Sequence, residues 1–448
     1  MRRFVTNHAF QLRSSSDSSS LPYVEKPDPR TNAGIAINES PVDWKRNNFA
    51  ASLAVFLLCI TFAFTNPFLP LYIQKIDGVS LTDAAMWAGI AAALQGIGAF
   101  CSGPLWGMAG DRWGRKPMLV RACLGGATGL LLLGFVTTAW QVVAIRLFIG
   151  IMAGAPAAAM ALVAAGTPSE LLPKALGRIQ ASILGGSAMG PLISIGLVAI
   201  WGYRTTFITA GVLMFSGAAV VMIMIREPRE ALAPVHSTEK RGMGSVLRTP
   251  VVWAALGLVM CLSFAGPLIQ PILSPYVVTI LPAGTNPTVA VGLMFFGISA
   301  SSAVAAIYAG RLIGRLGIQI VLPVSIIGVA VFLFPMGIVK GVGLLAILVI
   351  LMSLFQGLLQ TSSVSLLPTL VSAAALSSMF GLYQSVSSLS QSLGPAIGGI
   401  AAAHIGFSAV FPIAALTLLV LALPAFYNFK RVAKKAAAKE VAAGLIAV

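Results

Sequence analysis

The chain has 448 residues and a net charge of +16, with 57% hydrophobic and only 9% charged residues. Soluble globular proteins carry about a quarter charged residues, so this composition excludes a chain whose whole surface faces water. The positive charge could suit nucleic acid, but most basic residues lie on one side of the predicted membrane, and this asymmetry favours a topology signal instead.

The first 46 residues are polar and basic, with a serine-rich stretch at residues 14–20. No apolar stretch follows the basic start, as it would in a secretory signal peptide. We therefore predict that residues 1–46 form a disordered cytoplasmic tail.

Twelve apolar segments follow, each long enough for the roughly 20 residues that cross a bilayer. They predict an all-α membrane protein with twelve transmembrane helices in two pseudo-symmetric six-helix bundles, at residues 47–225 and 251–427, joined by a cytoplasmic linker at 226–250. Residues 428–448 are expected to form a basic cytoplasmic C-terminal tail. Numbered as spans 1 to 12, the segments lie near residues 49–73, 84–108, 117–137, 140–165, 174–200, 203–225, 251–278, 287–310, 318–338, 341–367, 374–402 and 407–427.

The loop after span 2 reads G-M-A-G-D-R-W-G-R-K at residues 107–116. A carboxylate among three cations can form a network that one conformation makes and another breaks, as a gate requires. The alternative is a basic loop that only fixes topology. The pattern resembles the signature loop of the major facilitator superfamily, which implies that this cluster stabilises the outward-facing state. The candidate gating residues are Gly107, Asp111, Arg112, Gly114, Arg115 and Lys116.

Span 4 contains Arg146, the only charged residue predicted deep in a span. A charge at that depth is costly and should face a cavity or a partner. Arg146 and Gly150 resemble the span-4 motif of the same family, where the arginine is linked to substrate or proton handling. A structural arginine bonded to neighbouring carbonyls is the alternative.

Span 5 carries Gly177, Gly186, Gly190 and Pro191 at a spacing that resembles the antiporter motif of the drug:proton antiporters. The sequence departs from that motif at residues 194–195. The resemblance implies multidrug export, whereas ordinary close packing of small residues on neighbouring helices is the alternative.

The second half repeats the first at an offset of about 204 residues. Asn66 and its following proline recur as Gln270 and a proline, and the Gly190 pair recurs as Gly394 and Pro395. Repeated halves with a ligand between them are common in secondary transporters. The family resemblance implies that spans 1, 4, 7 and 10 line the cavity. The resulting candidates for the substrate or proton pathway are Asn66, Arg146, Gln270, Gln356 and Gln360.

Most of the 29 Lys and Arg residues lie in the tails and in alternate loops. Only Lys75, Arg204 and Lys340 fall on the opposite side. This asymmetry predicts that both termini are cytoplasmic. A multi-pass protein of the plasma membrane, the inner membrane of a bacterium, is therefore expected.

None of the 13 Asp and Glu residues falls in the middle of a predicted span. A proton carrier usually needs a buried carboxylate or histidine. Three alternatives remain: Asp83 or Asp111 titrates at a cavity mouth, protons travel on the substrate, or transport is uncoupled. A pocket with Arg146 and no carboxylate should favour neutral lipophilic or anionic substrates over cations.

These observations predict a secondary active transporter that exports small lipophilic molecules by alternating access. A transporter or facilitator of a metabolite such as a sugar or organic acid is the runner-up, with a channel and a non-transporting sensor as further alternatives. The chain has no P-loop pattern for an ATP-driven pump, and no enzyme activity, metal or cofactor is predicted. The expected partners are a small-molecule substrate, membrane lipid and protons as a candidate coupling ion, without nucleic acid, for a monomer.

Overall fold

The computed structural model describes residues 43–168, 170–227, 250–366 and 376–442. These residues are nearly all helical, and none of them forms a β-strand. The α-helices are Trp44–Thr65, Leu69–Asp77, Leu81–Trp113, Arg115–Leu133, Ala139–Ile151, Ala155–Gly166, Leu172–Met224, Pro250–Ile280, Pro287–Leu316, Ile318–Leu333, Val342–Ser365, Leu376–Ile405 and Phe407–Ala442, and the 3-10 helices are Asn66–Phe68 and Phe334–Ile338.

Within the described ranges, ten helical stretches are long and apolar enough to cross a membrane. The longest of them contains a non-helical Gly202, at φ 73°, a backbone conformation that glycine adopts without strain. Gly186 before this residue and Gly217 after it both pack on the same part of span 1, which shows that the chain reverses at Gly202. Counting that helix as two spans, and adding the helix Leu376–Ile405, gives twelve spans, the number predicted from the sequence.

The halves repeat each other in contacts as well as in sequence. The hydroxyl of Tyr72 donates to the Leu133 carbonyl at the end of span 3 at 2.7 Å. Tyr276, 204 positions later, donates to the Met336 carbonyl at the end of span 9 at 2.9 Å. Both tyrosines thus satisfy carbonyls that a helix end leaves unpaired. Gly406 has φ 79° between spans 11 and 12, as Gly202 has between spans 5 and 6.

Local sequence explains where spans begin and break. Residues 80–83 read S-L-T-D, a sequence typical of a capping box, and Ser80 caps span 2 by accepting from the Asp83 amide at 3.1 Å. Span 4 is interrupted between Ile151 and Ala155. Pro156 lacks an amide donor and its ring opposes the helical carbonyl four residues earlier, and Gly154 at φ 120° accommodates the turn.

The outer surface is apolar, as a lipid-covered protein requires. Ile200, Ile223 and Ile338 are each about three-quarters exposed. The first helix begins at Trp44, and the last continues past residue 427 to Ala442. Most of the predicted tail and linker, at residues 1–42 and 228–249, lies outside the described residues.

Candidate functional site

A cavity of about 290 Å³ lies between the two halves. Spans 1, 2 and 4 of the first half and spans 7 and 11 of the second half contribute to its wall. Its polar lining residues are Asn66, Gln95, Arg146, Gln270, Ser388, Gln391 and Ser392.

Arg146 is the buried cation of this cavity, with only 2% of its surface exposed. Its Nη1 donates to Asn66 Oδ1 at 2.9 Å and to Gln95 Oε1 at 3.0 Å. Neutral amide oxygens therefore hold the guanidinium in place without cancelling its charge. The break after Thr65, at the start of the turn Asn66–Phe68, places Asn66 beside span 4.

Two further donors of Arg146, Nε and Nη2, are buried and have no hydrogen-bond partner. They occupy one edge of the planar guanidinium, where their N–H bonds are parallel and match two oxygens of a carboxylate or a similar group. No Asp or Glu is among the described residues that line the cavity. An acceptor-rich neutral group or an anion would therefore satisfy these donors and offset the cost of the buried charge.

Four of the polar lining residues were missed by sequence reasoning: Gln95 on span 2, and Ser388, Gln391 and Ser392 on span 11. The sequence did contain a signal, because Gln95 is a polar residue inside an apolar span, and such residues tend to face a cavity. Ser388 and Ser392 are four residues apart on one helix face, where Ser392 donates to the Ser388 carbonyl at 2.7 Å.

The structure brings together three of the five predicted pathway residues, Asn66, Arg146 and Gln270. Gln356 and Gln360 of span 10 do not line this cavity. The Gln356 side chain lies against Gly266 of span 7, and Gln360 is exposed. The resemblance implied that span 10 lines the cavity, but the number of a span does not specify which face of the helix turns toward the pocket.

The halves meet at the end of the bundle that carries the turn at Gly78, called here the far end. A side chain at Gly89 of span 2 would collide with the Pro395 carbonyl of span 11. A side chain at Gly292 of span 8 would likewise meet Pro191 and Ile195 of span 5. The two contacts are related by the internal repeat, and they close the cavity on this side.

The opposite end carries residues 107–116 and is called here the loop end. Added side chains at Gly103 and Gly107 of span 2 would find no described atom within 4 Å. The same holds for Gly177 on span 5 and for Gly310 on span 8. The glycine contacts between the halves therefore occur at the far end, and none occurs at these four glycines of the loop end.

The 107–116 loop makes its recorded contacts within the first half. Glu227 accepts from the backbone amides of Arg115 and Lys116, at 2.7 and 2.9 Å, and so caps the start of span 3. Arg115 Nη1 donates to the Ala161 carbonyl of span 4 at 3.2 Å, and Arg112 is exposed. The Asp111 side chain lies outside what the structure describes.

The glycines of the span-5 motif bring helices into close contact. Side chains at Gly186 and Gly190 would collide with span 1, since the Ile60 carbonyl lies 2.9 Å from a Cβ placed on Gly190. Gly394 packs in the same way on the Phe264 carbonyl of span 7, at 3.1 Å. Pro395, which follows it, lines the central cavity.

The acidic residues that the structure describes lie at or near helix ends. Asp77 accepts from the Ala139 amide at 3.0 Å, and Asp83 accepts from the Ser80 hydroxyl at 2.7 Å. No group of three or more His, Cys, Asp or Glu that could hold a metal ion occurs among the described residues.

A family model described as Major Facilitator Superfamily matches residues 51–285 and 272–446 of the chain. The multidrug resistance protein MdtG of Klebsiella pneumoniae is 29% identical over 399 residues, which are 89% of this chain and 97% of that relative. A multi-drug resistance efflux pump PmrA homolog of Lactococcus lactis is 26% identical over 396 residues, which are 88% of this chain and 97% of that relative.

Solved structures share the fold at low sequence identity. A bacterial homolog of the human lysosomal transporter Spinster, in an inward-facing and unoccupied conformation, superposes with a TM-score of 0.75 at 14% identity, covering 88% of this chain and 99% of that one. The nucleoside transporter NupG superposes with a TM-score of 0.72 at 16% identity, covering 86% and 99%.

Proposed function

Because the chain belongs to the major facilitator superfamily, we propose that it exports small lipophilic molecules across the plasma membrane by alternating access. Relatives that match along nearly their whole length are named as multidrug resistance and efflux proteins, which supports export. The glycine–proline pattern of spans 5 and 11 supports the same direction by its resemblance to the antiporter motif.

The observation that carries this proposal is a central cavity between two repeated halves that touch closely at the far end. A carrier with that plan exposes its site to each side of the membrane in turn. The basic residues concentrate at the loop end, so we assign this end and both termini to the cytoplasm. The conformation described above is then inward-open, ready to take substrate from the cell interior. We propose that the transporter acts as a monomer.

The charge of the cavity supports a preference for neutral or anionic substrates. Arg146 offers two unpartnered donors, and no carboxylate lines the pocket to attract a cation. A lipophilic cation would have to lose its hydration shell beside a buried positive charge, which costs free energy.

Substrate choice tests this proposal directly. Cells that express the protein are loaded with ethidium, chloramphenicol or a lipophilic carboxylate, and the rate of efflux of each is measured against cells without it. We expect export of the neutral and anionic compounds to exceed export of ethidium. Clearly faster ethidium export would refute the charge argument.

The coupling ion is a separate part of the proposal. We propose proton-linked transport without a mid-membrane carboxylate, since the acids of the described residues lie at helix ends. The proton is then carried by Asp83 or Asp111 or travels on the substrate. Flux into proteoliposomes with an imposed pH gradient should follow the gradient, and equal flux with and without it would indicate uncoupled transport.

A second candidate substrate class is a small organic acid. The parallel donors of Arg146 fit a carboxylate, and the amides and hydroxyls around it suit a polar metabolite. Competition decides between the two: a hydrophilic dicarboxylate that blocks uptake of the lipophilic compounds in proteoliposomes would favour the metabolite transporter.

A further inference from the structure

A second cavity, of about 270 Å³, lies inside the first half near the loop end. It is enclosed by span 2, the start of span 3 and the second part of span 4. Apart from Met118, its wall consists of small residues around three large polar side chains, Trp106, Arg115 and Arg121. None of the described residues that line it is acidic.

Arg121 is the central feature of this cavity. Its guanidinium carbon lies 3.7 Å from the centre of the Trp106 ring, so the two planar groups are close enough for a cation–π contact. Its Nη2 donates to the Ala153 carbonyl at 3.0 Å. Its Nε and Nη1 are buried and have no hydrogen-bond partner. Two donors of a fixed cation are therefore left unsatisfied at the cavity wall.

The surroundings hold Arg121 in this position. The Trp106 indole N–H donates to the Ile151 carbonyl at 2.6 Å, which fixes the ring under the guanidinium. Ile151 and Ala153 lie at the break in span 4, where the helix no longer uses their carbonyls. The same break exposes the uncapped start of the helix Ala155–Gly166, whose backbone amides add partial positive charge to the cavity wall.

Arg115 supplies the second cation. Its Nη1 is bonded to the Ala161 carbonyl, so the side chain lies along the wall rather than out in the loop. A buried donor without a partner costs about 1–3 kcal/mol, and more when it is charged. Two arginines, the unpartnered donors of Arg121, and no carboxylate among the described lining residues favour a multiply negative oxygen ligand.

We propose that this cavity binds a phosphate group, held by Arg121 and Arg115 and stabilised by the Trp106 stack. A phosphate brings several strong acceptor oxygens and suits the planar donors of arginine. The phosphate belongs either to a lipid headgroup at the membrane surface or to a free anion from the aqueous side. Ala153 lines both this cavity and the central one, so an occupant would fix the span-4 break beside the transport site.

Thermal unfolding of the full-length protein in an uncharged detergent tests this site. The protein is titrated with inorganic phosphate, with dioctanoyl phosphatidylglycerol, and with chloride at matched ionic strength. We expect phosphate or the lipid, but not chloride, to raise the Tm in a saturable way. Saturation by inorganic phosphate identifies a free anion as the ligand, and saturation by the lipid alone identifies a headgroup. Failure of both to stabilise the wild-type protein would overturn the proposal.

Two variants and a matched control locate the binding. Arg121→Gln should raise the ligand concentration at half-saturation at least roughly tenfold, because it removes a charge-assisted pair. Arg178→Gln removes the same charge from an exposed position at the loop end, outside this cavity, and should bind as the wild type does. Equal weakening by both variants would indicate general charge attraction and refute the site.

A cavity-filling change keeps the test valid if Arg121→Gln does not fold. Ala157→Leu leaves both arginines in place but puts a larger side chain into the cavity that Ala157 lines. It should weaken binding as Arg121→Gln does. Unchanged saturation in a folded Ala157→Leu protein would place the ligand elsewhere. All readouts concern binding, so they stand or fall independently of the transported substrate.

Discussion

The two halves of the molecule share a scaffold but differ in chemistry. Tyr72 and Tyr276 satisfy equivalent helix ends, and Gly202 and Gly406 make equivalent reversals. The cations within spans 3 and 4, however, have no counterpart in the second half: spans 9 and 10 contain no charged residue to match the half-buried Arg121 or the buried Arg146. The second half contributes amides and hydroxyls to the central cavity instead.

This difference separates architecture from recognition. Residues that close turns or let helices touch are constrained in both copies, because each six-helix half must pack in the same way. Residues in the cavity are free to diverge, since a ligand contacts the two halves with different atoms. Charge recognition should therefore depend on the first half, and shape and neutral hydrogen bonding on the second.

The largest expected effect comes from Arg146→Ala compared with Gln270→Ala, one cavity residue from each half. A hydrogen bond to a charged group contributes about 1.5–3 kcal/mol, so Arg146→Ala should lower kcat/KM for an anionic substrate roughly 10- to 100-fold. Gln270→Ala should cost about 1 kcal/mol, roughly fivefold. Transport kinetics in proteoliposomes measure both.

Arg146→Lys sharpens the same comparison. Lysine keeps the charge but lacks the planar fork, so it should restore little of the lost transport if Arg146 binds two oxygens at once. A substrate profile that stays the same in Arg146→Ala would assign this residue a structural role and would remove the chemical contrast between the halves.

The next largest effect concerns the loops after spans 2 and 8. Residue 314 is glycine where the first-half loop has Asp111. Asp111→Asn should leave the protein inserted but lower flux by about tenfold, the effect of one lost charge-assisted contact of about 1.4 kcal/mol. Gly314→Asp should change flux little. Normal flux in Asp111→Asn would exclude this carboxylate from the gate.

A change in the conformational equilibrium, rather than in a charged contact, is expected at the symmetric contacts of the far end. Gly89→Val and Gly292→Val each place atoms where the other half already packs. Overpacking costs about 1–3 kcal/mol, so both should shift the population toward the conformation that is closed at the loop end. Gly177→Val, where space is open, is the matched control.

Cysteine labelling reads this shift. In a protein whose four native cysteines are replaced by serine, Gly103→Cys at the loop end should react more slowly with an impermeant maleimide when Gly89→Val or Gly292→Val is present. Slower labelling with only one of the two would show that the halves do not close symmetrically.

The smallest expected effect is on stability. Tyr72→Phe and Tyr276→Phe each remove a buried hydrogen bond to a helix-end carbonyl, and each should lower the free energy of unfolding by about 1 kcal/mol. Thermal unfolding in detergent measures the pair. A loss of stability in only one of the two variants would show that the two repeated hydrogen bonds contribute unequally to the free energy of unfolding.

Much of the fold could be predicted from the sequence, because apolar length defines a span and glycine or proline marks its ends. Local chemistry explains the reversal between residues 200 and 203 and the cap at Ser80. The repeat offset of about 204 is visible in the matching motifs of the two halves. The interruption of span 4 was not predicted. Pro156 signals a kink there, but whether a proline bends or breaks a helix depends on its neighbours, here Trp106 and Arg121.

The candidate site could be predicted only in part. Arg146 was identified because a charge is conspicuous in an apolar span, and Asn66 because the family resemblance implies that span 1 lines the cavity. Gln95 and Ser392 were missed, since the family resemblance directed attention to spans 1, 4, 7 and 10. Gln356 shows the limit of such reasoning. The number of a span does not specify which of its faces lines the cavity, because that depends on how the helix packs on its neighbours, here on Gly266 of span 7.

The single-residue corners at Gly202 and Gly406 also constrain how the molecule can move. With so short a joint, the two legs of each hairpin cannot slide or tilt independently without breaking the corner. Spans 5 and 6 should therefore move together as one unit, and so should spans 11 and 12. A change of conformation would then keep each of these hairpins together as a pair, with the close glycine contacts of the far end on the boundary between the halves.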